Sequence, residues 1–247
     1  MKYLKKIKAT AITMLLLTLL SCSTEPEIGS TVTYFPEIIL QGSTTIFIPL
    51  GSVYNDPGVI ATENGETIEF TSQTVGKYRA SNKLDTNIQD EYTQTYTAVN
   101  KDGFDATVTR TIIVYNTGDL VNSIEGVYTS TVARNGSTPS DAYVDMKYIY
   151  IWKNTNGTYE ISDAFGGWYL FGRAIAGSGS PGGIINAVDI NTNTFTFPGN
   201  PFSNDYFGGV VTLKSINVNA ATKKVVISTD WDAGPYTFVS TLTQVQF

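Results

Sequence analysis

The stretch Tyr92-Thr93-Gln94-Thr95-Tyr96-Thr97-Ala98 alternates between threonines and a second set of side chains. Successive side chains of a β-strand point to opposite faces of the sheet, so Tyr92, Gln94 and the alternate residues after them would share one face. Tyrosine and threonine both suit a pleated, half-buried surface. The stretch therefore predicts a β-strand with one face turned toward a core.

The flanking sequence repeats this pattern between turn signals. Residues 44–50 alternate in the same way, and residues 106–114 form a second long strand candidate. Asn64-Gly65 between them is typical of a tight turn, because both residues adopt positive φ at low cost. Residues 34–116 therefore predict a β-sandwich domain.

The second half of the chain, residues 120–247, follows a polar boundary and again shows short strands separated by turns. Strand candidates include residues 143–152, 168–174 and 236–245, and no window has the 3.6-residue period of a helix. Short polar connections favour an antiparallel meander. Such a meander closes into a barrel or folds into a sandwich, because open sheet edges invite aggregation. The chain is therefore predicted to be all-β with two domains.

The composition excludes several classes of function. The 247 residues include no His and one Cys, which rules out His-assisted nucleophiles, His-ligated zinc and structural disulfides within the chain. The net charge of −6 argues against binding to nucleic acid. No calcium-binding loop is present, so we expect no metal and no cofactor. The acidic residues show no spacing that sets two carboxylates across a cleft, which makes a small glycoside hydrolase the weakest alternative.

The N-terminus has the pattern of an export signal. Four lysines precede an apolar run at residues 11–20, which is too short to span a bilayer but matches the hydrophobic region of a signal peptide. The run ends in Leu19-Leu20-Ser21-Cys22, which resembles the lipobox of bacterial lipoproteins. The resemblance implies that residues 1–22 are the signal peptide and that Cys22 becomes the lipid-modified first residue. The alternative is an ordinary secretory signal with an incidental cysteine.

Residues 23–33 form a polar linker in which Glu25 and Glu27 lie close to the expected anchor. This resembles the acidic export signal of surface-exposed lipoproteins in Bacteroides-type bacteria. The resemblance implies a protein anchored in the outer membrane and facing the cell exterior. Removal of the signal takes four of the 16 basic residues and none of the 22 acidic ones, which leaves a net charge of −10. The acyl chains rather than a cationic patch would then hold the protein at the membrane.

Four segments of the first half occur in the order found in a known family. They are Pro36-Glu37-Ile38-Ile39-Leu40, Val53-Tyr54-Asn55-Asp56-Pro57-Gly58, the stretch that begins at Tyr92, and Arg110-Thr111-Ile112-Ile113-Val114. Together they resemble the bacterial Ig-like domain of surface lipoproteins and adhesins. Gln94 departs from the pattern, because an apolar inward residue is usual there. Such domains mostly serve as spacers or platforms, so this resemblance implies a fold and not a ligand.

The second half also resembles a known domain. Ile124-Glu125-Gly126-Val127-Tyr128, Gly166-Gly167-Trp168-Tyr169 and the end of the chain from Phe238 to Leu242 are similar to the C-terminal β-domain of Bacteroides-type surface lipoproteins. These proteins are commonly linked to glycan-uptake systems of the starch-utilisation type. The resemblance implies an oligo- or polysaccharide ligand and an outer-membrane glycan transporter complex as a partner.

One candidate binding segment runs from residue 163 to residue 173. Gly166-Gly167 would turn the chain sharply and expose the aromatic pair after it. A sugar stacks its CH face on an aromatic ring, and its hydroxyls bond to carboxylate and guanidinium groups. The candidates are Asp163, Phe165, Trp168, Tyr169 and Arg173. The alternative is that the aromatics fill the core and that Asp163 pairs with Arg173.

A second candidate cluster consists of Phe202, Tyr206 and Trp231, which lie in or beside loops rich in Gly, Pro, Asn and Asp. Loops on a rigid β-scaffold often carry binding residues. We therefore predict a non-catalytic, glycan-binding surface lipoprotein. A structural or adhesive lipoprotein that binds another protein is the main alternative.

Overall fold

The computed structural model describes residues 32–79 and 81–247. The strands in these ranges are β1 (Glu37–Leu40), β2 (Thr45–Pro49), β3 (Val59–Glu63), β4 (Glu66–Thr67), β5 (Phe70–Gly76), β6 (Asp90–Val99), β7 (Asp105–Tyr115), β8 (Gly126–Arg134), β9 (Met146–Lys153), β10 (Tyr159–Ile161), β11 (Gly182–Asp189), β12 (Thr194–Thr196), β13 (Phe202–Ser203), β14 (Val210–Asn219), β15 (Lys224–Trp231) and β16 (Tyr236–Gln244). Two short helical segments, Asp141–Tyr143 and Trp168–Gly172, accompany them. The predicted all-β class is confirmed.

The predicted signal peptide, Cys22 and most of the linker lie outside the described residues. Within the ranges that the structure covers, no helix has the length and apolar character needed to cross a bilayer.

The first half contains two small sheets, in the orders β1-β3-β4 and β2-β7-β6-β5. Strand β2 runs parallel to β7, and the other pairs are antiparallel. The alternating face of β6 is buried as predicted, since Tyr92 and Tyr96 have no exposed surface. Asn64 and Gly65, with φ of 51° and 82°, connect β3 to β4 as the predicted two-residue turn.

Gln94, the departure from the Ig-like pattern, belongs to a partly buried polar network. Its Nε2 donates to Asp56 Oδ2 at 2.9 Å, and Arg110 Nη1 donates to Asp56 Oδ1 at 2.6 Å. Tyr96 also donates to Asp56, and Arg110 Nε donates to the carbonyl of Ser43 at 3.1 Å. Arg110 is fully buried, so its charge needs these partners. Burial raises the pKa of Asp56, but hydrogen bonds from Tyr96 and other donors outweigh it and hold this pKa below its ordinary value.

The second half is one nine-stranded antiparallel sheet in the order β12-β11-β10-β9-β8-β16-β15-β14-β13. Two meanders are thus joined where β8 pairs with the last strand, β16. Side chains link the two ends of this curled sheet. Asn193 Oδ1 accepts a hydrogen bond from the Val218 N–H at 2.6 Å. Asn200 Nδ2 donates to the carbonyl of Leu213 at 2.6 Å, and Asn200 Oδ1 accepts the Leu213 N–H at 3.0 Å. The curl encloses the larger hydrophobic core of the chain.

The sequence-based expectation of a strand at residues 168–174 was wrong. The chain forms a π-helical turn at Trp168–Gly172, directly after two glycines with φ of 64° and 90°. A β-carbon on Gly166 would collide with Ser240 and with Val132, so the backbone crosses the sheet closely at this point. Positive φ at both glycines interrupts the strand and starts the turn.

The two halves share a small buried cluster. Ile113 of β7 packs with Val127, Tyr150 and Trp152 of the second half. Tyr150 Oη also donates to Glu91 Oε2 at 2.7 Å. Residues 35–247 accordingly form one compact unit by their contacts. The division into domains at 34–116 and 120–247 stays a prediction.

Candidate functional site

Most candidate residues of the segment 163–173 are buried. Phe165 has no exposed surface, Trp168 is 6% exposed and Tyr169 is 9% exposed, and all three belong to the core of the curled sheet. The expectation that Gly166-Gly167 exposes the aromatic pair was therefore wrong. The π-helical turn directs both rings inward.

One face of the Trp168 ring is covered by the ring of Tyr143. The two rings lie 3.6 Å apart and within 5° of parallel. The guanidinium of Arg134 lies 4.8 Å from the Trp168 ring centre, and a β-carbon on Gly172 would collide with the Tyr143 ring. Trp168 is thus packed on several sides by protein groups.

Asp163 organises the same turn through main-chain hydrogen bonds. Its carboxylate accepts N–H groups of Phe165 at 2.9 Å, Gly167 at 2.9 Å and Ser180 at 3.0 Å. Arg173 is exposed, and the pair with Asp163 that the alternative interpretation included is not among the ion pairs of the described residues. The acidic side chain therefore fixes the backbone and does not orient the arginine.

The buried Asp163 predicts a pH dependence of stability. Burial raises its pKa from 3.8 to about 6, despite the lowering effect of the Ser180, Phe165 and Gly167 N–H groups. The pKa of this carboxyl is higher in the folded protein than in the unfolded protein. Its contribution to stability is therefore complete below the pKa of the unfolded state and is lost as the pH rises through about 6. Urea denaturation should show the free energy of unfolding falling by up to about 3 kcal/mol between pH 4 and pH 7 from this group.

The matched variants for this measurement are Asp163→Asn, which should lack that fall, and Asp102→Asn at an exposed turn, which should keep it. Equal pH profiles for wild type and Asp163→Asn would contradict the assignment.

A concave site lies instead at the end of the β15–β16 hairpin. This terminal pocket has a volume of about 300 Å³. Its lining includes Thr212, Asp230, Trp231, Asp232, Tyr236 and Thr237. Trp231 and Tyr236 are directly opposite each other across the two strands, with ring centres 6.0 Å apart.

The two carboxylates of the terminal pocket are held by neighbouring groups and remain partly exposed. Thr237 Oγ1 donates to Asp230 Oδ1 at 2.9 Å, and Lys214 Nζ lies 3.6 Å from Asp230 Oδ2. The Val210 N–H donates to Asp232 Oδ1 at 2.7 Å. The side chain of Asp230 is 45% exposed, so it can accept further hydrogen bonds from a ligand.

The two aromatic residues of the pocket differ in accessibility. Trp231 is 7% exposed and donates its indole N–H to the carbonyl of Gly208 at 3.0 Å, so it forms a fixed wall. Tyr236 is half-buried, and the Arg134 guanidinium lies 4.3 Å from its ring centre. Both rings lie on the core side of the sheet, whereas Asp230 of the preceding pair points to its outer side.

The residues of the second predicted cluster differ in exposure. Phe202 is half-buried against the core, whereas Tyr206 is 52% exposed. Trp231 is the one candidate of this cluster that lines the terminal pocket. Sequence reasoning missed Tyr236, although the turn at Gly234-Pro235 indicated a hairpin that would set it opposite Trp231.

Metal binding has no support from clusters of ligands. In residues 32–79 and 81–247, no group of three or more His, Cys, Asp or Glu side chains is placed to hold an ion.

Comparison with known families agrees with this architecture. A family model described as a C-terminal domain matches residues 117–244, which is more than half of the chain. The chain belongs to this family. The family model of the bacterial surface protein Ig-like domain matches residues 38–114, so the predicted Ig-like domain is confirmed.

The structure of this chain is similar to the crystal structure of the lipoprotein BT2262 from Bacteroides thetaiotaomicron. The two share 24% sequence identity with a TM-score of 0.60, over 85% of this chain and all of that one. At this identity the likeness shows a common fold. No curated protein matches the chain in sequence. The association with starch-utilisation-type systems stays a prediction.

Proposed function

We propose that the protein is a surface-anchored, non-catalytic lipoprotein that binds a glycan in the terminal pocket. The observation that carries the proposal is a concave site with two oriented and partly exposed carboxylates, Asp230 and Asp232, next to a group of aromatic residues. The exposed aromatic rings that adjoin the pocket provide a surface for the CH face of a sugar. The carboxylates accept hydrogen bonds from its hydroxyls, and charged acceptors form stronger bonds than neutral ones.

The scaffold supports this assignment. Strands β15 and β16 pair continuously from Lys224 to Trp231, so the groups at the end of the hairpin rest on a regular ladder. Binding groups on such elements keep their geometry better than groups on loops. The volume of the terminal pocket is at the lower end of the range of small-molecule sites.

Binding without hydrolysis is the form of the proposal that these carboxylates favour. Asp230 and Asp232 lie two residues apart on one chain segment. A glycosidase needs carboxyl groups that flank the scissile bond. The lipid anchor at Cys22, the outward orientation at the outer membrane and a glycan transporter complex as partner are further parts of the proposal, taken from the sequence resemblance.

The proposal predicts that two substitutions in the pocket abolish most glycan binding. The soluble chain, residues 23–247, is screened on a glycan array and by affinity electrophoresis in polysaccharide gels. Asp230→Ala and Asp232→Ala should each weaken binding by about tenfold or more, as expected for truncation at the centre of a binding site. Asp230 is partly exposed, so its variant should keep nearly all of its stability.

Asp102→Ala, which removes an exposed carboxylate from the Ig-like domain, is the matched control and should bind as wild type does. Absence of binding to every glycan by a folded wild-type chain would reject the proposal in favour of the adhesive alternative. Undiminished binding by both pocket variants would reject the site.

A further inference from the structure

Two exposed aromatic side chains lie beside the terminal pocket. Tyr206 is 52% exposed and Phe207 is 38% exposed, and we call this pair the outer shelf. The Phe207 ring centre is 5.8 Å from that of Trp231 in the pocket wall, and the Tyr206 ring centre is 4.7 Å from Phe207. The outer shelf therefore continues the aromatic surface away from the pocket.

The outer shelf is carried by an ordered turn. Asn204 is buried, and its Oδ1 accepts the Phe207 N–H at 2.7 Å. The Gly208 N–H donates to the carbonyl of Asn204 at 3.0 Å, and the Gly208 carbonyl accepts the Trp231 indole N–H at 3.0 Å. Gly208 thus connects the turn that carries the outer shelf to Trp231. Ordered, neighbouring apolar rings at the surface indicate a contact site.

A glycine brings the outer shelf close to the pocket. Gly209 has φ of 77°, and a β-carbon there would lie 2.6 Å from Asp232 Oδ1 and 2.6 Å from the β-carbon of Ala233. Contacts this short are not possible for a real side chain, so another residue would push the turn away from the pocket rim. The close approach of shelf and pocket therefore depends on this residue.

We infer that the outer shelf is a second sugar subsite adjoining the terminal pocket, and that the ligand is an oligosaccharide chain rather than a single sugar. The inference rests on the proposed function. One sugar unit occupies the pocket at Asp230 and Asp232, and the following units of the chain stack on Phe207 and Tyr206. Affinity should then increase with chain length until both subsites are filled.

Calorimetric titration of residues 23–247 with length series of cello-, xylo-, manno- and malto-oligosaccharides, from monosaccharide to hexasaccharide, tests the inference. In the series that binds, Tyr206→Ala should lower the affinity for the longest members by about tenfold and leave that for the shortest members unchanged. Phe104→Ala, which removes a 47% exposed ring from the Ig-like domain, is the control and should bind every length as wild type does. Urea denaturation verifies that both variants remain folded.

The outcomes separate the inference from the function on which it rests. If the wild type binds but affinity does not depend on chain length, or Tyr206→Ala weakens all lengths equally, the second subsite is rejected and the proposed function stands. If Tyr206→Ala has no effect at any length while Asp230→Ala abolishes binding, the second subsite is likewise rejected and the proposed function stands. If the wild type binds no member of these series and no glycan of the array, both the function and the inference are rejected.

Discussion

Trp168→Ala is expected to lower the free energy of unfolding by about 3 to 5 kcal/mol, the usual cost of truncating a buried aromatic side chain. Trp168 is 6% exposed, stacks on Tyr143 and contacts the Phe238 ring edge-on at a centre distance of 6.1 Å. Its removal leaves a cavity that the surrounding strands cannot fill without moving. Urea denaturation of wild type and variant, followed by far-UV circular dichroism, measures the difference.

Tyr206→Ala is the matched control for this loss, because its ring is 52% exposed and its removal should change stability by less than about 1 kcal/mol. A stable Trp168→Ala variant that no longer binds glycan would show that Trp168 contacts the ligand, contrary to its burial.

Cys22→Ala is expected to move the protein entirely from the membrane fraction to the soluble fraction. Acyl chains on Cys22 would supply the membrane affinity, because each buried methylene contributes about 0.8 kcal/mol. The charge of −10 that remains after signal removal gives no attraction to an anionic membrane surface. Fractionation of cells, with immunodetection in each fraction and metabolic labelling with a fatty acid, measures both anchoring and acylation.

Ser21→Ala is the control for the second experiment, because it keeps a small residue before the cysteine and should leave acylation intact. A Cys22→Ala protein that still sediments with membranes and needs detergent for release would contradict the lipobox assignment.

The parts of the fold that depend on local pattern could be predicted from the sequence. Strand β6 follows from strict alternation, and the turn at Asn64-Gly65 follows from residues that tolerate positive φ. The turn at Trp168–Gly172 could not be predicted in this way. The two glycines indicate a change of direction, but the N–H of Ser180 that helps to hold Asp163 comes from a distant part of the chain.

The candidate site was only partly predictable for the same reason. Trp231 was identified from its place at a strand end, but which face its ring would take depends on pairing with β16. Tyr236 has no local signal of its own and becomes a pocket residue only through this pairing. Gln94 similarly looked anomalous, because its partners Asp56 and Arg110 come from other segments.

The most direct test of the account is a crystal structure of residues 23–247 soaked with the oligosaccharide that binds best in the screen. We expect a sugar ring in the terminal pocket, with its hydroxyls within hydrogen-bond distance of Asp230 and Asp232. A glycan bound elsewhere on the chain while the terminal pocket holds only solvent would contradict the account.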